Sequence, residues 1–428
     1  MKLPISCCLI FLFSSSGFGD DWPQWRGPSL DSTSSENNLP ESFADENRLW
    51  KLPMPGPGGS SPVVWQDQIF VASVDGDDLV LMKVSKDGQV SWKQKLTGEN
   101  KNIRMDRANS ASPSPVTDGK HVWVMMTDGV LHCFDFDGLL KWKKHMQQEY
   151  GDFKIQFGMT STPILDRGKL YFQFIHGNMR DRASTSVGKI VALNAADGTE
   201  AWSQQRLTDA IAENKHSYTT PTIYRNGAEE FLVVHGADFT TGHSLSDGEE
   251  LWRIGGMNPK GDDYNPFLRF VSSPVCSKNM IVVPSAKNGP VYALTPALRG
   301  EIDQESRSKA LVWEIEKGTP DVATPVIADD LVYLARENGV ITCLDSKTGE
   351  QYFEKRVLVN KHRSTPVAAD GKIYLIGRDG TAIVMDDARE FKVISKHKLG
   401  EDTTASPAIS NGRIYIRTNQ SLIAFGKK

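Results

Sequence analysis

Positive charge is not in excess in this chain. Lys and Arg number 49 against 53 Asp and Glu, a formal net charge of −4, so no basic field points to nucleic acid. Beyond the N-terminus there is no run of 18 apolar residues, and no membrane-spanning helix is expected. Cysteine is scarce. Cys7 and Cys8 fall in the first apolar stretch, which leaves Cys133, Cys276 and Cys343. An odd count cannot complete a disulfide framework. Several motifs of chemistry are missing: a Gly-x-Ser-x-Gly elbow, a His-Glu-x-x-His helix and a Cys-x-x-Cys-His haem site. The glycines of 53–59 are not followed by Gly-Lys-Ser/Thr, so they read as a flexible connector and not a phosphate cradle.

What is present begins with a leader. Lys2 precedes a short apolar core over 3–13, and small residues at 14–19 end before Asp20. This order of parts reads as a secretory signal over 1–19. The cysteines lie inside the apolar core and not after it, so no lipid anchor is expected. Residues 20–47 read as an N-terminal extension that opens DWPQWRGP.

The rest of the chain, 48–428, repeats one pattern about eight times. The clearest copy is ATPVIADDLVYLARENGVITCLDSKTGEQYF at 323–353. It contains three short apolar strands and the start of a fourth. Asn338-Gly339 between the second and third is a strong hairpin signal. Each copy opens on a small residue and proline: Ser61-Pro62, Ser112-Pro113, Thr162-Pro163, Thr220-Pro221, Ser273-Pro274, Thr324-Pro325, Thr365-Pro366 and Ser406-Pro407. Proline at a strand's first residue forfeits no ladder bond. A glycine then precedes an aromatic by four residues, as in Gly88/Trp92, Gly138/Trp142, Gly198/Trp202, Gly248/Trp252 and Gly349/Phe353. The rings are expected to dock between neighbouring copies. Cys133 and Cys343 share a repeat position with Ala192, Ala293 and Ala424, which reads as a site for a small buried side chain.

Four antiparallel strands per copy, at intervals of roughly 40 to 60 residues, predict an all-β, eight-bladed β-propeller. The last copy stops after Phe425, one strand short, while 48–52 is a strand without a blade. Pairing the two closes the ring and removes its free edges.

No Trp-Asp dipeptide occurs, which argues against WD40 repeats. The run small-Pro-Val, Asp-Gly, Ala/Cys-Leu-Asp-x-x-Thr-Gly-Glu-x-x-Trp resembles the quinoprotein-type (PQQ-like) propeller repeat. The resemblance covers about 48–425, and 191–202 and 341–353 carry it best. It implies one of two branches. One holds dehydrogenases dependent on pyrroloquinoline quinone, in which a carboxylate base and a Ca²⁺ sit over the quinone and adjacent cysteines often cover its other face. The other holds non-catalytic propellers similar to outer-membrane assembly factor BamB. DWPQWRGP also looks like the opening of many exported propellers from Planctomycetes. The only adjacent cysteines here lie in the leader, and no segment matches the dehydrogenases' catalytic motifs. The expectation is therefore a non-catalytic exported scaffold of the periplasm or envelope, monomeric, binding a protein, peptide or ligand without a cofactor. A quinone-dependent oxidoreductase is the alternative. A carbohydrate-binding propeller, resting on Trp22, Trp25 and Trp65 as exposed rings, is another.

Long loops gather on one predicted face: 93–108, 143–158, 173–188, 203–217 and 253–270. Long loops on a rigid scaffold are where binding resides. Polar residues just upstream of the strand starts are the candidates for a ligand or partner site: Asp106, Arg107, Asn109, His216, Arg269, Asp321, His362 and Arg363. The acidic groups Asp75/Asp77/Asp78 and Asp262/Asp263 read as turn and loop residues, not metal sites. The leader is tested by fusing residues 1–25 to a reporter. Export and a mature N-terminus near Asp20 are expected; a mature chain that begins at Met1 or at a lipidated cysteine overturns the reading.

Overall fold

Each repeat folds as four antiparallel strands. The sixth shows why. Val326–Ala328 and Leu331–Ala335 are buried along their whole length, Val340–Asp345 nearly so, while Gln351–Arg356 buries Phe353 and exposes most of its neighbours. A strand near the axis has a neighbouring blade on each face, so it tolerates no polar alternation. The outermost strand keeps one wet face and alternates. In the computed structural model, which describes residues 21–97, 110–181, 186–227, 229–303, 305–358 and 361–427, eight such sheets make an eight-bladed β-propeller. The leader lies outside the described residues.

The ring closes as the sequence predicts. Arg48–Pro53 is the outer strand of the last blade, antiparallel to Ser421–Gly426, with Trp50 opposite Ala424. Two blades gain an extra parallel strand. Gly300–Ile302 covers the outer edge of the fourth, and Thr33–Ser34 lies on Val367–Ala369 of the seventh.

The aromatic of one blade docks on the turn of the next. Trp50, Trp92, Trp202 and Trp313 each donate an indole N–H to a turn carbonyl, those of Lys86, Phe136, Leu245 and Ser346, at 2.6–3.1 Å. Beneath these rings sit Gly88, Gly138, Gly248 and Gly349, at φ between 73° and 85°. A Cβ on Gly248 would fall 2.5 Å from the Trp202 ring, so glycine is required by both backbone and space. In four blades the small residue lies opposite the ring: Cys133 faces Trp142, Ala192 faces Trp202, Ala293 faces Trp313 and Cys343 faces Phe353.

The strand-opening hydroxyls form a closed circle that the sequence pattern does not show. The backbone N–H of Ser61 donates to Ser114 Oγ, Ser114 to Thr162, Thr162 to Thr220 and Thr220 to Ser273, at 2.9–3.1 Å. Ser273 then donates to Thr324, Thr324 to Thr365, Thr365 to Ser406, and Ser406 back to Ser61, at 2.9–3.4 Å. One opening is thereby corrected. The second blade begins at Ser114-Pro115, ahead of Val116–Thr117, and not at Ser112-Pro113. The run Ser-Pro-Ser-Pro offers two equal local solutions, and only Ser114 places its hydroxyl under the N–H of Ser61.

Three outcomes test this architecture. Deleting 48–52 is expected to abolish cooperative melting, because it uncovers Ser421–Gly426; a parent-like melt would remove the closure argument. Trp202→Ala should destabilise by about 3–5 kcal/mol, read from denaturant midpoints. Thr162→Val keeps the shape but orphans the buried N–H of Ser114, and should cost about 1–3 kcal/mol.

Candidate binding well

The extension 20–47 is not a free tail; its described part is a strap across one end of the axial channel. Trp22 exchanges two backbone hydrogen bonds with Val64, at 2.8 and 2.9 Å, and Pro23 O accepts from Thr117 N–H at 2.9 Å. Gln24 Oε1 accepts from Leu165 N–H at 3.0 Å. Arg26 donates to Pro274 O at 2.7 Å and to Pro221 O at 3.2 Å. The Glu36 carboxylate accepts the backbone N–H groups of Asn411 and Gly412. The strap thus contacts the first, second, third, fourth, fifth, seventh and eighth blades. It corrects one expectation: Trp22 is 1% exposed and offers no ring to solvent.

With that end plugged, the channel becomes a well of about 600 Å³ that opens on the long-loop face. Trp25 lies at its floor with Nε1 donating to Ser406 Oγ at 3.3 Å. The circle supplies much of the wall through Ser61, Ser114, Thr162, Thr220 and Thr365. The mouth is formed by the connections that enter the blades and by the turns between second and third strands.

Of the residues singled out in sequence, Arg269, Asp321 and Arg363 line this well. Asp106, Arg107 and Asn109 lie outside the described residues. His216 and His362, each 1% exposed, are turned into the wall behind it. Burial favours their neutral form and lowers both pKa values, that of His362 to about 4. Their expected role at the mouth is corrected: an imidazole that stays neutral and packed is a core side chain.

The mouth carries charge of both signs, and most of it is already paired. Arg269 meets Glu213 at 3.5 Å. Lys361 and Arg363 both reach Glu337 Oε1 at 3.3 Å. Burial alone would raise Glu337; the two cations outweigh it and hold its carboxyl below the usual range. Asp321 is held above its usual value, chiefly by burial and further by the charge of Glu337, although it accepts Lys287 N–H at 3.0 Å. Among the described residues no three His, Cys, Asp or Glu side chains gather as a metal would require. Cys133, Cys276 and Cys343 are free thiols in three different blades.

Trp25, named in the sequence only as an exposed ring, also lines the well, and sequence reasoning missed Glu337, Arg378 and Asn419, which line it too. A signal existed for these three. Each is the second residue after the second strand of its blade, following Leu331–Ala335, Lys372–Ile376 and Arg413–Arg417. One repeat offset thus projects three side chains to one mouth.

The sequence matches the family described as outer membrane protein assembly factor BamB over 42–187, 106–308 and 298–391. The chain belongs to this PQQ-like propeller family. It is 26% identical over 241 residues to outer membrane protein assembly factor BamB of Yersinia pestis, which covers 56% of this chain and 50% of that protein. The chain thus matches about half the length of this curated relative. Among solved structures, BamB from Moraxella catarrhalis superposes with a TM-score of 0.62 at 13% identity, over 88% of this chain and 99% of that one. Quinohemoprotein alcohol dehydrogenase from Comamonas testosteroni gives 0.68 at 12% identity, over 95% and 81%. At such identities these likenesses speak for the fold alone. The BamB-like and dehydrogenase-like propellers share one scaffold, so the residues of the well must separate them. Among the described residues no helix is long and apolar enough to cross a membrane.

Buried imidazoles give this fold a pH dependence. His132, His243 and His362 are held at about 4 and His235 at about 3, each mainly by burial. In the unfolded chain they titrate at about 6.5. Their contribution is complete above that value and is lost as pH falls from there toward 4, because the unfolded state binds protons first. Asp31 and Asp238, raised by burial, act in the opposite sense. Denaturant midpoints should therefore fall between pH 7 and pH 5.5; a midpoint that rises over this interval contradicts the assignment.

Proposed function

We propose that this protein is a non-catalytic propeller scaffold of the cell envelope that binds its ligand or partner at the well and the surrounding long-loop face. The observation that carries this reading is the state of Asp321 and Glu337, which with Asp402 are the carboxylates that line the well. Glu337 is committed to Lys361 and Arg363, and Asp321 is driven toward its neutral form by burial. The two carboxyls are neighbours, but among the described residues no third His, Cys, Asp or Glu joins them in a group that could hold a metal. Pyrroloquinoline quinone with Ca²⁺ does not fit this donor set. A divalent ion calls for several charged or amide oxygens around one point, and the described cysteines cannot form an adjacent pair. No redox step is assigned to the site.

The family supports the envelope placement and a protein partner, as the printed name of the relatives concerns assembly of outer membrane proteins. Export by the leader fits the same compartment, and a monomer fits a closed ring with its edges paired. The rigid mouth holds groups from separate blades at fixed separations, which favours recognition without induced folding.

Site-specific photo-crosslinking tests the reading. A photoreactive residue at Asn419, on the mouth, is compared with one at Lys120, on the opposite face. Adducts with envelope proteins are expected from Asn419. Adducts from Lys120 alone, or none from Asn419 in intact cells, would discard the proposed face.

A further inference from the structure

The floor of the well is unusual in its source, because the chain supplies it from its own N-terminal strap. Arg26 is 1% exposed and anchored on two carbonyls, and its guanidinium lies 4.6 Å from the centroid of the Trp25 ring. That contact supports the indole on one side, and the bond to Ser406 fixes its edge. Above it stand the hydroxyls of the circle. Those of Ser61, Ser114, Thr162, Thr220 and Thr365 line the well, and each accepts an N–H from a neighbouring blade, which leaves its own O–H and a second lone pair for the well. Phe157 and Tyr218 add aromatic wall.

The charge pattern narrows the ligand. A strongly basic mouth would call for an anion, but Arg269, Lys361 and Arg363 already face Glu213 and Glu337, and Arg378 and Asp402, which also line the well, are opposite in sign. A charged ligand that engages Arg269, Lys361 or Arg363 would have to separate these pairs, and a broken, partly buried pair leaves a costly uncompensated charge. A neutral molecule with many hydroxyls meets no such penalty. It can donate to the carboxylates and accept from guanidinium groups and ring hydroxyls, while an apolar C–H face rests on the indole. The closed floor adds a geometric condition: a chain can enter only by its end.

We propose that the well takes the terminal sugars of a neutral saccharide, end-on, with Trp25 as the platform on which the innermost ring stacks. This rests on the well being the binding face, and it goes further by naming the ligand chemistry. A volume of about 600 Å³ lies in the range of small-molecule sites.

The test is calorimetric titration of the purified full chain with maltotriose, cellotriose and tri-N-acetylchitotriose, with α-cyclodextrin as a sugar without ends and trigalacturonate as an anionic one. At least one neutral trisaccharide should bind, and α-cyclodextrin should not. Trp25→Ala should weaken that binding about tenfold or more, a difference of about 1.4 kcal/mol, and Trp25→Phe should restore most of it. Because Trp25→Ala also loosens the strap, Arg378→Ala and Asn419→Ala give a second reading. Both residues line the well and are half-buried. These variants should reduce binding with an unchanged melting temperature. The proposal is overturned if no neutral trisaccharide binds at about 10 mM, far weaker than a built site of this size implies. It is equally overturned if α-cyclodextrin binds as well as the linear sugars, or if only trigalacturonate binds and does so in a salt-dependent way. Protein adducts at Asn419 together with no saccharide binding would remove this proposal and leave the scaffold reading standing. Saccharide binding without adducts would leave this proposal and the binding face standing and remove only the protein partner.

Discussion

Eight hydrogen bonds arranged in a circle hold the inner ends of the blades in register. Each joins the first backbone N–H of one blade to the opening hydroxyl of the next, and the last returns to the first. A blade's inner strand has no partner strand on its axial side, so its N–H would otherwise be buried without an acceptor. Serine or threonine meets this need with the shortest possible side chain, and the proline that follows has no N–H to satisfy. The circle closes only if every blade has the same inclination to its neighbour. Blade number, channel width and the position of every mouth residue therefore depend on it.

Further out the same problem is solved with aromatic rings. Trp50, Trp92, Trp202 and Trp313 fill the wedge between blades and satisfy turn carbonyls in the process. Glycine under the ring gives such a side chain its space, and opposite all of these but Trp92 stands an alanine. Inner polar bonds and outer apolar wedges together leave little freedom for a blade to tilt. The mouth residues next to strand ends are held in place, because those strands are fixed at both radii.

The strap makes the molecule asymmetric along its axis. An open channel would admit ligands from either face. Burying Arg26 and Trp22 across the far end commits the cavity to one mouth, on the face where the loops are long. The polar groups there largely neutralise one another across blades, as Glu337 does with Lys361 and Arg363. The well is thus polar without a strong net field.

The sequence by itself determined the blades, their number and their closure. These depend on local period, on turn residues such as Asn338-Gly339 and on the missing last strand, all of which are visible within one repeat length. It also identified the rings that wedge between blades, since a glycine four residues ahead of an aromatic is a local sign of a packed turn. It placed Arg269, Asp321 and Arg363 among the candidates, because residues ahead of a strand start must lie near the axis. It did not distinguish them from His216 and His362, which share that position but turn inward; the rotation of a side chain about its backbone is settled by packing, not by spacing. Ser112 and Ser114 were locally equivalent, and only the hydroxyl circle chose between them. The floor of the well was beyond local reading altogether. Trp25 and Ser406 are 381 residues apart in the chain, and closing the ring is what brings them within a hydrogen bond of each other.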